Sequence, residues 1–216
     1  APVQKFRDLL KLYDGIDKKK LQENMKYWLE AIMPICDEYD INMCVHPDDP
    51  PYPVFGLPRI IGRAEDIQWM LDAVPNKHNG LTFCAGSFSA GEHNDCVAMA
   101  KQFADRTHFV HLRSCYIFPN GNFTEASHLG GRGHLIELCR IFEKAEQEGK
   151  CNSGRRLPMR VDHGMTFTDE PGGVFDESNH GHTLLGRMFA MGQIQGVIAT
   201  VDDELGIEYK QPGFYD

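Results

Sequence analysis

Apolar residues recur at helical spacing in five stretches of the chain. Leu21, Met25, Trp28, Leu29, Ile32 and Cys36 form the first, and Ile67, Met70, Leu71 and Val74 the second. Val97, Ala100, Phe103 and Ala104 mark a third, and Leu135, Ile136, Cys139 and Phe142 a fourth. Leu184, Leu185, Met188, Met191 and Ile194 open the last. Between these stretches lie four short runs of strand character, at 42–45, 81–83, 109–110 and 159–161. Helix and strand therefore alternate, which predicts parallel βαβ units. Pro34 is expected to bend or shorten the first helix near its end. The proline-rich run 46–53 cannot be regular structure, and its fixed φ angles suit a rigid loop at a binding mouth. The Gly- and polar-rich segment 168–181 reads as a mobile loop over that mouth.

At 216 residues the chain fits a single domain, 1–216, with a sizeable core. Four strands are half of what a closed eight-stranded barrel needs, and eight units at this spacing would exceed the chain. The sequence therefore reads as half a barrel: either a fragment, or a chain that completes its sheet with another. Its two open sheet edges favour pairing, hence a homo-oligomer. The net charge of −9 argues against nucleic acid or an anionic membrane as partner, since both need a basic face. A small anionic substrate remains open, provided a metal or a few Arg overcome the field locally. The seven cysteines are odd in number, form no CxxC pair and sit mostly in apolar runs. They point to a reducing, cytoplasmic setting without disulfides. With no export signal and no run of 18 apolar residues, the expectation is a chain neither exported nor membrane-spanning.

Each strand run ends on a residue that can bind a metal: His46, Cys84, His111 and Asp162. Side chains at the carboxyl ends of parallel barrel strands converge on one mouth. Imidazole, thiolate and carboxylate together suit Mn, Fe, Co or Zn. Each residue alone has an ordinary reading, as a hydrogen-bonded His, a buried Cys or a turn-capping Asp. Their shared position in four successive units is what makes a metal site plausible. Period-two alternation puts Arg113 on the face of His111, and Arg160 on that of Asp162. Both can grip a carboxylate in bidentate fashion, or instead pair outward with a helix. His163, where a strand gives way to a loop, can move protons near neutral pH, and His180 and His182 lie in the loop over the mouth. The glycine- and serine-rich run 86–91 lacks the Gly-Lys-Ser/Thr ending of a phosphate loop, and no serine sits in a Gly-x-Ser-x-Gly elbow.

The runs His-Pro-Asp-Asp-Pro-Pro (46–51), Phe-Gly-Leu-Pro-Arg-Ile (55–60), Phe-Cys-Ala-Gly-Ser (83–87) and His-Leu-Arg (111–113) resemble the D-mannonate dehydratase family. So do Phe-Thr-Glu-Ala-Ser-His-Leu (123–129), Arg-Val-Asp-His-Gly (160–164) and Gly-Arg-Met-Phe-Ala-Met-Gly (186–192). The resemblance implies an α/β fold, a (β/α)₈ TIM barrel of the xylose isomerase-like type, with this chain covering roughly its second half. It implies metal-dependent dehydration of D-mannonate to 2-keto-3-deoxy-D-gluconate in hexuronate catabolism, with Mn²⁺, or alternatively Fe²⁺ or Co²⁺. His46, Cys84, His111 and Asp162 would be the metal ligands and His163 a catalytic acid or base. Two departures stand out. The family is longer, its first βα units and an early substrate-binding Arg having no counterpart here. His182 stands where the family carries a catalytic Tyr. Two other readings compete: a metal-dependent sugar isomerase or epimerase on a related barrel, against which Cys84 as ligand speaks, and a non-catalytic metal-binding half-barrel.

Overall fold

The computed structural model describes residues 2–167 and 182–208. The loop expected over the mouth, with His180, lies outside the described residues. The chain opens with α1 (Pro2–Lys11) and α2 (Lys18–Tyr39). The Asp17 carboxylate caps α2 by accepting from Lys20 N at 2.8 Å, and Asp40, at φ 53°, ends it in the left-handed region. Pro34 does not shorten α2, which runs through it to Tyr39. A proline inside a helix costs about 3 kcal/mol, but Met33 and Cys36 on either side of it are buried. Each apolar side chain so buried returns about 1.5–3 kcal/mol.

Then follow β1 (Met43–Val45), α3 (Ala64–Ala73), β2 (Asn79–Cys84), the short α4 (Ala85–Ser89) and α5 (Cys96–Phe103). After β3 (Thr107–His111) an antiparallel hairpin of β4 (Cys115–Ile117) and β5 (Phe123–Glu125) intervenes before α6 (Leu135–Gln147). The last elements are β6 (Met159–Arg160) and α7 (Leu184–Leu205). The five expected helices and four expected strands are all present. The hairpin and α4 have no period in the sequence long enough to show them, whereas α1, which was not expected, has one in Val3, Phe6, Leu9 and Leu10.

Strands β1, β2, β3 and β6 form one parallel sheet in that order. All six residues of β2 are buried, as a central parallel strand covered on both faces requires. Phe83 of β2 meets Phe88 and Phe142 at ring-centroid separations of 5.2 Å each, tying sheet, α4 and α6 into one core. The register pairs Cys84 with His111 and His111 with Arg160, so the carboxyl ends of β2, β3 and β6 lie level, while Val45 at the end of β1 pairs with Leu81. All seven cysteines are free, as expected. Among the described residues α7 is long and apolar enough to cross a membrane, by length and composition. It packs on α6, where Arg140 Nε lies 2.8 Å from Glu204 and Gln147 Nε2 donates to Leu205 O at 3.1 Å.

Candidate metal centre and active site

The carboxyl ends of β1, β2 and β3 bring His46, Cys84 and His111 together. One heteroatom from each lies within 4.8 Å of the others. Donors bound to one ion at about 2.0–2.3 Å stand no more than about 4.6 Å apart, so this is the spacing of a set poised to close on a cation. The His46 Nδ1–H donates to Pro47 O at 2.7 Å, which leaves Nε2 with its lone pair free for a metal. His111 is 9% exposed, and its Nδ1 is buried with no hydrogen-bond partner among the described residues. A buried, unbonded imidazole nitrogen costs stability unless something else engages it. Cys84 is fully buried, with Ser87 Oγ 3.1 Å from its sulfur. Two imidazoles and a thiol with a carboxylate beside them are a donor set for a divalent transition ion.

That carboxylate is Asp162. Its Oδ2 lies 3.8 Å from His111 Nδ1, beside the three-residue cluster rather than within it. Asp162 has φ 60°, a left-handed conformation that a non-glycine residue holds at a cost of about 1–3 kcal/mol. Burial works to raise its carboxyl, but His163, His111, Arg113 and Arg160 together outweigh it and hold the group below the usual carboxylate range. Behind it His128 donates from Nε2 to Val161 O at 2.9 Å, pinning the strand end from which Asp162 projects.

His163 stands between two carboxylates, with Nε2 3.5 Å from Asp162 Oδ2 and Nδ1 3.6 Å from Glu125 Oε1. Burial, aided by the Arg113 guanidinium, pushes this imidazole down to about 4, so it is neutral at pH 7 and free to accept a proton. Burial likewise pushes Glu125 up to about 7, against the pull of Arg113. The His182 ring lies 4.7 Å from that of His163, centroid to centroid. Arg187 Nη2 donates to His182 Nδ1 at 2.9 Å, which places the proton of neutral His182 on Nε2.

The two arginines fare differently. Arg113 is 3% exposed and faces three carboxylates: Asp49 at 2.8 Å, Glu125 at 3.1 Å and Asp162 at 3.6 Å. Arg160 was expected to share an inward face with Asp162. Its side chain is instead 45% exposed, because β6 ends at Arg160 and the left-handed turn at Asp162 breaks the alternation. Its Nη2 still reaches Asp162 Oδ1 at 3.3 Å. Sequence reasoning assigned no role to Asp49, Ser87, Glu125 or His128. All four nevertheless fall inside the runs 46–51, 83–87 and 123–129, which carried the resemblance.

A model of the D-mannonate dehydratase (UxuA) family matches residues 2–207. The chain belongs to this family. It is 38% identical to mannonate dehydratase 2 of Agrobacterium fabrum over 204 residues, which is 94% of this chain and 50% of that protein. It is 36% identical to the mannonate dehydratase of Chromohalobacter salexigens over 196 residues, 90% of this chain and 49% of that one. The chain thus spans about half the length of these relatives. The crystal structure of mannonate dehydratase from Streptococcus suis serotype 2 superposes with a TM-score of 0.76 at 27% identity, covering 93% of this chain and 56% of that one. A structure of the IolI protein with a bound zinc atom superposes at 0.56 and 13% identity, over 86% of this chain and 59% of that one. This last likeness is one of fold alone.

Proposed function

We propose that this chain carries the metal centre and proton-transfer groups of a mannonate dehydratase, a hydro-lyase that converts D-mannonate to 2-keto-3-deoxy-D-gluconate. The observation that carries the reading is the convergence of His46, Cys84 and His111 at the carboxyl ends of three parallel strands, in a chain of this family. Asp162 completes the ligand set from its place beside His111. When bound, a divalent ion, Mn²⁺ by preference and Fe²⁺ or Co²⁺ otherwise, polarises the substrate near its carboxylate and lowers the cost of losing the C2 proton.

The surrounding residues supply the rest. Neutral His163 accepts the C2 proton, with Glu125 behind its other nitrogen. His182 donates its Nε2–H to the C3 hydroxyl as it leaves as water, a role supported by its ring lying 4.7 Å from that of His163. The C2–C3 enol left behind then takes up a proton at C3 to give the 2-keto acid. Arg160, partly exposed at the mouth, is suited to meet the substrate carboxylate.

Residues 1–216 in this reading are one domain making up roughly half of a (β/α)₈ barrel. The open edges of β1 and β6 support association with further copies. Seven free cysteines support a cytoplasmic setting. The chain's coverage of half its relatives also supports a second reading, a half-barrel that binds metal without turning over. Purified protein given Mn²⁺ and D-mannonate separates the two. Release of 2-keto-3-deoxy-D-gluconate is expected. Bound metal with no product under Mn²⁺, Fe²⁺ or Co²⁺, from this chain alone and from the chain joined to the length it lacks, would overturn the enzymatic reading.

A further inference from the structure

The side chain of Arg113 follows an unusual route. Its Nε, Cδ and Cγ pass 2.4, 2.6 and 2.7 Å from where a Cβ on Gly86 would sit, so only glycine at that point of α4 lets it through. Beyond Gly86 each nitrogen of the guanidinium group has a partner. Nη1 donates to Asp49 Oδ2 at 2.8 Å, Nε to Glu125 Oε2 at 3.1 Å, and Nη2 approaches Cys115 Sγ at 3.7 Å. Asp162 Oδ2 stands 3.6 Å from Nη1. These three acids come from three separate places: the loop after β1, strand β5, and the turn after β6. Asp49 Oδ2 also lies 3.2 Å from Ser87 Oγ, the hydroxyl 3.1 Å from Cys84 Sγ. The guanidinium thus reaches two of the four ligand candidates, Asp162 across one ion pair and Cys84 through Asp49 and Ser87. Only 3% of Arg113 is exposed, which leaves it little surface to offer a substrate carboxylate.

We infer that Arg113 is a positioning residue for the metal centre, one buried cation that fixes Asp162 directly and Cys84 through the Asp49–Ser87 contact, rather than a residue that grips substrate. The inference rests on the metal reading of the site. Three acids cannot share a partly buried space without a counter-charge, and the planar fork of arginine satisfies Asp49 and Glu125 in fixed directions at once. Lysine supplies the charge without the fork. Groups that orient ligands in this way typically govern metal affinity by 10–100-fold.

The test is metal binding, not turnover. Mn²⁺ affinity by equilibrium dialysis and the visible spectrum of Co²⁺-loaded protein would be compared for wild type, Arg113→Lys, and Gly86→Ala, which displaces the guanidinium without removing it. At least about tenfold weaker Mn²⁺ binding and an altered Co²⁺ spectrum are expected in both variants. Thermal unfolding is expected to remain cooperative. Arg113→Gln in a Glu125→Gln background, where the acid facing Nε is neutral, gives the same comparison should Arg113→Lys fail to fold. Folded variants with wild-type Mn²⁺ affinity and an unchanged Co²⁺ spectrum would overturn the assignment. So would a raised KM for mannonate with metal affinity intact, the signature of a gripping residue. Wild-type protein that takes up neither ion would instead overturn the metal reading itself.

Discussion

Both ends of the parallel sheet hold buried histidines, and they treat them in opposite ways. At the amino end, His78 is 1% exposed and its Nδ1 lies 2.7 Å from Asn42 Oδ1, while Asn42 Nδ2 donates to Asn152 Oδ1 at 2.7 Å. Asn79 donates to Val74 O at 2.9 Å, and His108 donates from Nε2 to Lys77 O at 3.1 Å. Gly80 is glycine because a Cβ there would sit 2.2 Å from the His108 ring. These polar groups tie the chain to itself. At the carboxyl end, His46, Cys84 and His111 point heteroatoms at one another, and Asp162 holds a costly backbone angle beside them. Convergence of donors, not the presence of histidine, separates a site from a scaffold.

The largest effect expected follows directly. His46→Ala removes a donor from the cluster but little else, since His46 is exposed and, among the described residues, its side chain bonds to the adjacent residue and touches the ring of His111. Mn²⁺ affinity is expected to fall by more than about 100-fold, beyond what loss of an outer partner costs. Stability of the metal-free protein should stay within about 0.5 kcal/mol. Metal content equal to wild type would take His46 out of the ligand set.

The opposite pairing is expected at the amino end. His78→Ala leaves Asn42 Oδ1 without its shortest contact and opens a cavity under β1. A loss of about 1–3 kcal/mol in urea unfolding is expected, with Mn²⁺ affinity unchanged. A large fall in affinity would show that the two ends are coupled and break the comparison.

Much of the carboxyl end was legible in the sequence because short strand runs end where their ligands begin, and period and position then coincide. His46, Cys84 and His111 were found by that logic alone. What escaped had no local signature. Arg113 and Asp49 are 64 residues apart, and no periodicity announces a contact of that range. The left-handed turn at Asp162 is equally silent, because nothing adjacent marks a non-glycine residue for positive φ. It is also why alternation misplaced Arg160. Pro34 did not end its helix: a strong local breaker yields when the apolar face continues past it.

A shifted pKa does not make the distinction that convergence makes. Burial pushes Glu143 on α6 up to about 7, as it does Glu125 at the mouth. Glu125 has Arg113 and His163 as neighbours, whereas Glu143 faces Asp202 of α7 and Glu146 of its own helix, with Arg156 opposing them. Such a carboxyl is a matter of stability. Its folded pKa lies above its unfolded value of 4.5, so the folded state binds the extra proton. The stability it contributes is full below about pH 4.5 and is lost as pH rises through about 7. Wild type is therefore expected to lose stability between pH 5 and pH 8 relative to Glu143→Gln, which cannot ionise. The gap should be on the order of 1–2 kcal/mol after allowance for solvent screening. Urea unfolding of the two proteins at both pH values checks it. Parallel pH dependences would mean that the Glu143 carboxylate is solvated between α6 and α7. The carboxyl groups of this chain would then divide, as its histidines do, by what converges on them.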